Sequence, residues 1–212
     1  MQLISCIIPA YNEEKTIFDV VSKVSELKKE NLISEIIVVS DGSKDKTAEL
    51  AKLAGANKVI ELSKNIGKGG ALIEAIKEAK GDIFLFLDAD LIGLKKEHIK
   101  LILEPIMKNI ADMVIGYFDG QEIFPYLSGQ RGVRRYFLET LTNDEKAKKS
   151  RYNWEILINE KVKKFGGKIS FVYLPSLDHL KKTKKYKIHK ALVLKFQLAW
   201  GFLCFYLQNF FK

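Results

Sequence analysis

The stretch "DIFLFLDADLIG", residues 82 to 93, runs through five consecutive apolar residues and then stops at Asp88, Ala89 and Asp90. A continuous apolar run without polar alternation reads as a strand covered on both faces. Residues two apart in an extended chain point to the same side, so both carboxylates can face one point beyond the strand end. Two negative charges held that close raise one another's pKa or call for a cation. A hard divalent ion, bound through oxygen ligands and keeping positions open for phosphate oxygens, satisfies them. The competing reading is that the two acids cap a following helix or line a solvated loop, and a DxD pattern alone does not decide between them.

Outward from this stretch, short Ile/Val-rich runs recur at "LISCII" (3 to 8), "EIIVVS" (35 to 40), "KVIEL" (58 to 62), "DMVIGY" (112 to 117) and "KISFVYL" (168 to 174). Between them stand helically spaced sets such as Ile17, Val20, Val21, Val24 and Leu27, or Leu72, Ile73, Ile76 and Ala79. Strands alternating with amphipathic helices predict an α/β fold with a mostly parallel sheet between two helical layers. Ligands in such sheets sit beyond the carboxyl ends of the strands. Past residue 118 the pattern changes to a loop with Gly120, Pro125 and Gly129, and helices are expected around 130 to 142 and 152 to 165. One domain over 1–180 is expected, in halves 1–118 and 119–180, followed by a distinct tail at 181–212.

The chain has 212 residues, with 35 Lys plus Arg against 26 Asp plus Glu, an excess that suits phosphorylated molecules, anionic lipid or nucleic acid. Nucleic acid is set aside, because the lysines concentrate in the tail and in "KAKKSR" without aromatic interleaving across a sheet. Cys6 and Cys204 lack metal-ligand spacing, and a reduced, cytoplasmic protein without a signal peptide is expected. The tail joins a basic run, "KKTKKYKIHK", to an aromatic, apolar end containing Trp200, Phe202, Phe205 and Tyr206. That composition fits peripheral contact with the cytoplasmic face of an anionic bilayer rather than a span. The alternative for this end is packing on the domain or on a second subunit in a homo-oligomer.

Three further loops lie at strand ends. "PAYNEEKTI" closes the first strand at Pro9, which has no N–H to give a ladder. "SDGSKDKTAEL" turns at Asp41 and Gly42 before a helix, and "NIGKGGAL" sets Gly67, Gly69 and Gly70 around Lys68 at a helix start suited to an anion. Taken together, Pro9 to Glu13, Asp41 to Thr47 and Asp88 to Asp90 resemble the motifs of the family 2 glycosyltransferases of the GT-A fold, strongly over about the first 120 residues. "YLSGQRGVRRYFLETL" is similar to the acceptor segment of dolichyl-phosphate mannosyltransferases. "GKGGAL" and "YNWEILINEKVKKFGGKISFVYLPSLDHLKKTKKY" are similar to glucosyl-3-phosphoglycerate synthase.

The resemblance implies a Rossmann-like, three-layer α/β/α domain that moves a sugar from a UDP- or GDP-sugar donor to a phosphate-bearing acceptor. Pro9, Ala10, Tyr11, Glu13, Asp41, Lys68, Asp88 and Ala89 would hold the nucleotide, and Asp88, Asp90 and His179 would hold Mg2+ or Mn2+. Gly129, Gln130, Arg131 and Arg134 would face the acceptor, with Asp90, Arg131 and Glu155 in catalytic roles. Ser40 stands where the family has a first acid, which leaves the choice of uracil or guanine to Asp41. The acceptor expected first is a polyprenyl or dolichyl phosphate at the membrane, and second a small soluble phosphorylated acid. Each residue also has a plainer reading: first-turn charge for Glu13, solvated side chains for His179 and Lys68, surface charge for one of Arg134 and Arg135, core for Trp154 and most aromatics of 117–126. A sugar nucleotidyltransferase is disfavoured because "PAYNEEKT" lacks a Gly- and Arg-rich first loop, whereas a non-catalytic nucleotide-binding relative stays open.

Overall fold

Alternate residues of the first strand feed opposite faces of a sheet: Ile4, Cys6 and Ile8 enter one buried cluster and Ile7 the other. This is a computed structural model that describes residues 2–142, residue 147 and residues 154–180. The expectations for residues 146 and 148 to 151 and for the tail at 181–212 lie outside the described residues. The chain divides into two compact units, Met1–Asp178 and His179–Lys212, so the expected metal ligand His179 falls in the second.

Seven strands form the main sheet: β1 (Ile4–Ala10), β2 (Glu35–Ser40), β3 (Lys58–Glu61), β4 (Ile83–Phe86), β6 (Met113–Tyr117), β7 (Arg131–Arg134) and β8 (Ile169–Tyr173), in the order β3-β2-β1-β4-β7-β6-β8. Every pairing is parallel except those of β7, which runs against both β4 and β6. Two short strands, β5 (Leu91–Ile92) and β9 (Asp178–His179), pair separately. Helices α1 (Ile17–Lys29), α2 (Thr47–Leu53) and α4 (Lys96–Met107) supply one cluster, and α3 (Lys68–Glu78) and α5 (Trp154–Lys164) the other. The result is the expected three-layer α/β/α arrangement. Strand order reverses where β1 meets β4, so a crevice opens at their carboxyl ends, the place where such sheets take ligands.

Two expectations need correction. Strand β1 does not stop at Pro9; Pro9 pairs with Val39 and Ala10 accepts the Asp41 N–H at 2.8 Å. Pairing to β4 ends at Ile7, so beyond that point the proline has only β2 beside it. The helix expected from residue 130 is instead strand β7, followed by the 3-10 turns Arg135–Phe137 and Glu139–Leu141. A run with two arginines and a glycine does not look like a central strand, but its site in the sheet overrides propensity. Gly132 is required there, because a Cβ would meet Ile106 Cδ1 of α4 at 2.7 Å.

Candidate active site

The loops after β1 and β2 are sewn together by backbone amides. The N–H groups of Asn12, Glu13 and Glu14 donate to Ser43 Oγ (3.1 Å), Thr47 Oγ1 (2.8 Å) and Asp45 Oδ2 (3.2 Å), while Asn12 Oδ1 accepts the Lys44 N–H at 2.8 Å. Asn12 adopts φ 55°, a left-handed value that asparagine tolerates. Ala10 and Glu13 are buried and Tyr11 is left 39% exposed over the crevice end of β1. Helix α1 begins only at Ile17, so the acids of "NEE" serve the loop rather than its first turn.

Asp41 is buried and its carboxylate takes the N–H of Ile66 at 2.7 Å and of Gly67 at 2.9 Å. It therefore fixes the approach to α3. The turn beside it needs glycine: Gly42 has φ +69° and a Cβ there would lie 2.6 Å from Asn65 N. Helix α3 then opens at Lys68, as the glycine pattern predicts.

Lys68 reaches across the crevice. Its ammonium donates to Asp88 Oδ1 at 2.7 Å and to Glu155 Oε1 at 2.6 Å. Burial acts to lower its pKa, but the two carboxylates outweigh burial and push it up, so it stays charged. Arg131, 1% exposed, lies behind: Nη1 donates to Glu155 O (3.1 Å) and Asn159 Oδ1 (2.9 Å), and Nη2 to the carbonyls of Tyr126 and Ser128. Burial pulls its pKa down to about 10 against the opposing pull of Glu155 and Asp88, which leaves it cationic at neutral pH. Two cations thus balance two anions, the condition under which buried charge is tolerated.

Gln130, fully buried, accepts the Asp88 N–H through Oε1 and donates to Asp88 Oδ2 through Nε2, both at 2.9 Å. One carboxylate oxygen each from Asp88 and Asp90 lies within 4.8 Å of the other. Two carboxylates are hard oxygen donors of the kind that hold Mg2+ or Mn2+, so the residues present fit such an ion.

Of the residues singled out from sequence, the structure brings Lys68, Asp88, Asp90, Gln130, Arg131 and Glu155 to this edge, with Pro9, Ala10, Tyr11, Glu13, Asp41, Ala89 and Gly129 around it. Arg134 is elsewhere. It pairs in register with Ile83 at the amino end of β4, where it donates to Ile106 O (2.7 Å) and Asn109 Oδ1 (2.6 Å). Arg135 is no free surface charge either: its guanidinium binds the Ala79 and Gly81 carbonyls at 3.0 Å and covers the Phe84 ring. Trp154 is core, as expected. Among the aromatics of 117–126 only Phe118 is buried, with Phe124 51% and Tyr126 38% exposed. Sequence reading did not reach Ser128 and Asn159, which hold Arg131, nor Asp45 as the acceptor that closes the second loop; only the Asp45-x-Thr47 spacing, typical of local side-chain turns, signalled the last.

The family model for glycosyl transferase family 2 matches residues 5–162. The chain belongs to that family. Among curated family 2 relatives, it is 39% identical over 116 residues to the dolichol-phosphate mannosyltransferase of Pyrococcus furiosus, covering 53% of this chain and 32% of that protein. It is 42% identical over 92 residues to a poly-beta-1,6-N-acetyl-D-glucosamine synthase of Staphylococcus aureus, covering 42% of this chain and 22% of that one. The matches therefore span a third or less of these relatives. A crystal structure of glucosyl-3-phosphoglycerate synthase from Mycobacterium tuberculosis, in complex with Mn2+, uridine diphosphate and phosphoglyceric acid, superposes with TM-score 0.73 at 26% identity over 85% of this chain and 71% of that one. The fold is accordingly GT-A.

Proposed function

We propose that this chain transfers a sugar from a nucleoside-diphosphate donor to a phosphate-bearing acceptor with the help of a divalent ion. The observation that carries this reading is the Asp88 and Asp90 carboxylate pair at the sheet edge beside the start of α3. The pair would hold Mg2+ or Mn2+, with His179 the third ligand that the sequence resemblance implies, and the bound ion would offset charge growing on the departing nucleoside diphosphate. The exposed face of Tyr11 and the carboxylate of Glu13 are suited to the nucleoside, and the amino end of α3 to its phosphates. Asp41 acts by fixing Ile66 and Gly67. Glu155 holds Lys68 against Asp88, which suits an acceptor phosphate that is already largely ionised at neutral pH, with a second pKa of about 6, and needs little help from a base.

For the acceptor, the likeness to a dolichol-phosphate mannosyltransferase and the basic, aromatic tail favour a polyprenyl or dolichyl phosphate at a membrane. A second reading, a small phosphorylated acid, is favoured by the likeness to a synthase solved with phosphoglyceric acid. Thermal melting of the full chain with UDP or GDP, each with and without Mn2+, tests the donor side. Stabilisation that needs both ligands is expected, about 2.7 kcal/mol at a hundredfold excess over Kd, and no stabilisation by any pair would end the proposal. Donor turnover with polyprenyl phosphate against 3-phosphoglycerate then separates the acceptors. Flotation with anionic liposomes, comparing the full chain with one lacking 181–212, tests the membrane contact.

A further inference from the structure

Gly129 and Gln130 stand where an acceptor contact was expected, yet both address Asp88. The Gln130 carboxamide is oriented by chemistry: only its oxygen can accept the Asp88 N–H, and only its nitrogen can donate to the Asp88 carboxylate. The side chain is fully buried, and its own backbone is pinned, with Gln130 O accepting the Gly116 N–H at 2.8 Å and Gln130 N–H donating to Ser128 Oγ at 3.3 Å. Gly129 completes the arrangement by absence of substance. A Cβ on it would fall inside the Asp88 carboxylate, 2.6 Å from Oδ1 and closer still to Oδ2. Gly129 has no left-handed φ, so the reason for glycine there is space and not backbone freedom.

We infer that Gly129 and Gln130 form a seat that fixes the Asp88 carboxylate in its metal-binding orientation, and that they are positioning residues rather than acceptor contacts. Lys68 closes the third side at Oδ1. The carboxylate is thus set before any ligand arrives, from three elements: the loop after β4, the entry to β7 and the start of α3. Hydrogen-bond partners of metal-binding carboxylates commonly matter 10 to 100-fold in affinity, which gives about the size of effect to look for. This inference rests on the metal-binding reading above.

Two variants of the full chain test it by different physics. Gly129→Ala adds only a methyl group whose obstruction is the end of a side chain, so the fold tolerates it while the Asp88 carboxylate must move. Gln130→Met keeps length and removes both hydrogen bonds. Mn2+ binding in the presence of UDP, followed by electron paramagnetic resonance of the free ion, is expected to weaken about 10 to 100-fold in both. The unliganded melting temperature of Gly129→Ala is expected to stay near that of the wild type. Unchanged Mn2+ affinity with a raised acceptor KM would overturn the inference and return both residues to the acceptor. If the wild type itself binds no Mn2+, the metal reading fails, and the seat is judged on a crystal structure of Gly129→Ala: a displaced Asp88 carboxylate upholds it, an undisplaced one overturns it.

Discussion

The loops at 10–14 and 41–47 and the segment 128–131 bring polar residues to the same sheet edge by opposite means. In the first, backbone amides donate to side chains of the neighbouring loop, and the ring of Tyr11 stays 39% exposed. In the second, side chains turn inward: Gln130 and Arg131, at 0% and 1% exposure, satisfy Asp88, Glu155, Asn159 and the carbonyls of their own loop. Both regions carry the residue types that sequence motifs associate with ligands. Only in the first does the geometry leave such a group facing outward, whereas the second builds the support on which Asp88 stands.

The contrast can be attacked at several points. The largest effect is expected from Asp90→Ala, which leaves both regions intact and removes one member of the metal set. Mn2+-dependent donor turnover should fall by at least about 100-fold with little change in melting temperature. Normal turnover would mean that the carboxylates are not where the chemistry occurs.

Lys68→Met comes next, because it strips the shared cation from Asp88 and Glu155. A loss of about 3 kcal/mol in urea denaturation is expected. The wild-type Lys68 pKa is raised, so its contribution is complete below the ordinary value of 10.5 and disappears only as pH climbs through the higher folded value. No loss from this source is therefore expected between pH 5 and 8.

Arg131→Lys keeps the charge but not the planar fork that reaches four acceptors, and a cost of about 2 kcal/mol in stability is expected. Unchanged stability with a higher acceptor KM would show that Arg131 faces the acceptor after all.

The smallest effect lies outside both regions. His98 is buried, its Nδ1 accepts the Lys95 N–H at 3.2 Å, and its Nε2 bonds to Pro175 O at 3.0 Å. The first contact requires Nδ1 unprotonated, so the ring is neutral with its proton on Nε2. Burial lowers its pKa from 6.5. The unfolded chain then takes up a proton that the folded chain refuses, so stability falls as pH drops below about 6.5. His98→Asn should flatten that slope in melts taken from pH 7.5 to 5.5.

How much of this was legible in the sequence follows the same contrast. Strands β2, β4 and β6 show as apolar runs because burial on both faces removes polar alternation, and the half-exposed edge strands β3 and β8 show through their β-branched and aromatic residues. The loops around Asn12, Asp41 and Gly67 show through residues whose backbone needs are local. Strand β7 does not, since what makes Arg131 and Gly132 acceptable in a sheet interior is the carbonyls of 126–128 and the ridge of α4, both distant in sequence or specified only by folding. Lys68 and Glu155 each stand out in the sequence, but nothing in a linear pattern says that the first donates to the second across 87 positions.

The single reversed strand has a consequence for how such a protein can change. Because β7 runs against β6, the 13 residues from 118 to 130 leave and re-enter the sheet at one rim, like a handle fastened at both ends. The part of such a handle before Tyr126 can be recut, lengthened or exchanged with no shift in register elsewhere, provided Tyr126 and Ser128 still hold Arg131 and the last two residues still cradle the acid opposite. The outer part of the rim can then diverge while the carboxylate pair beneath it is inherited unaltered.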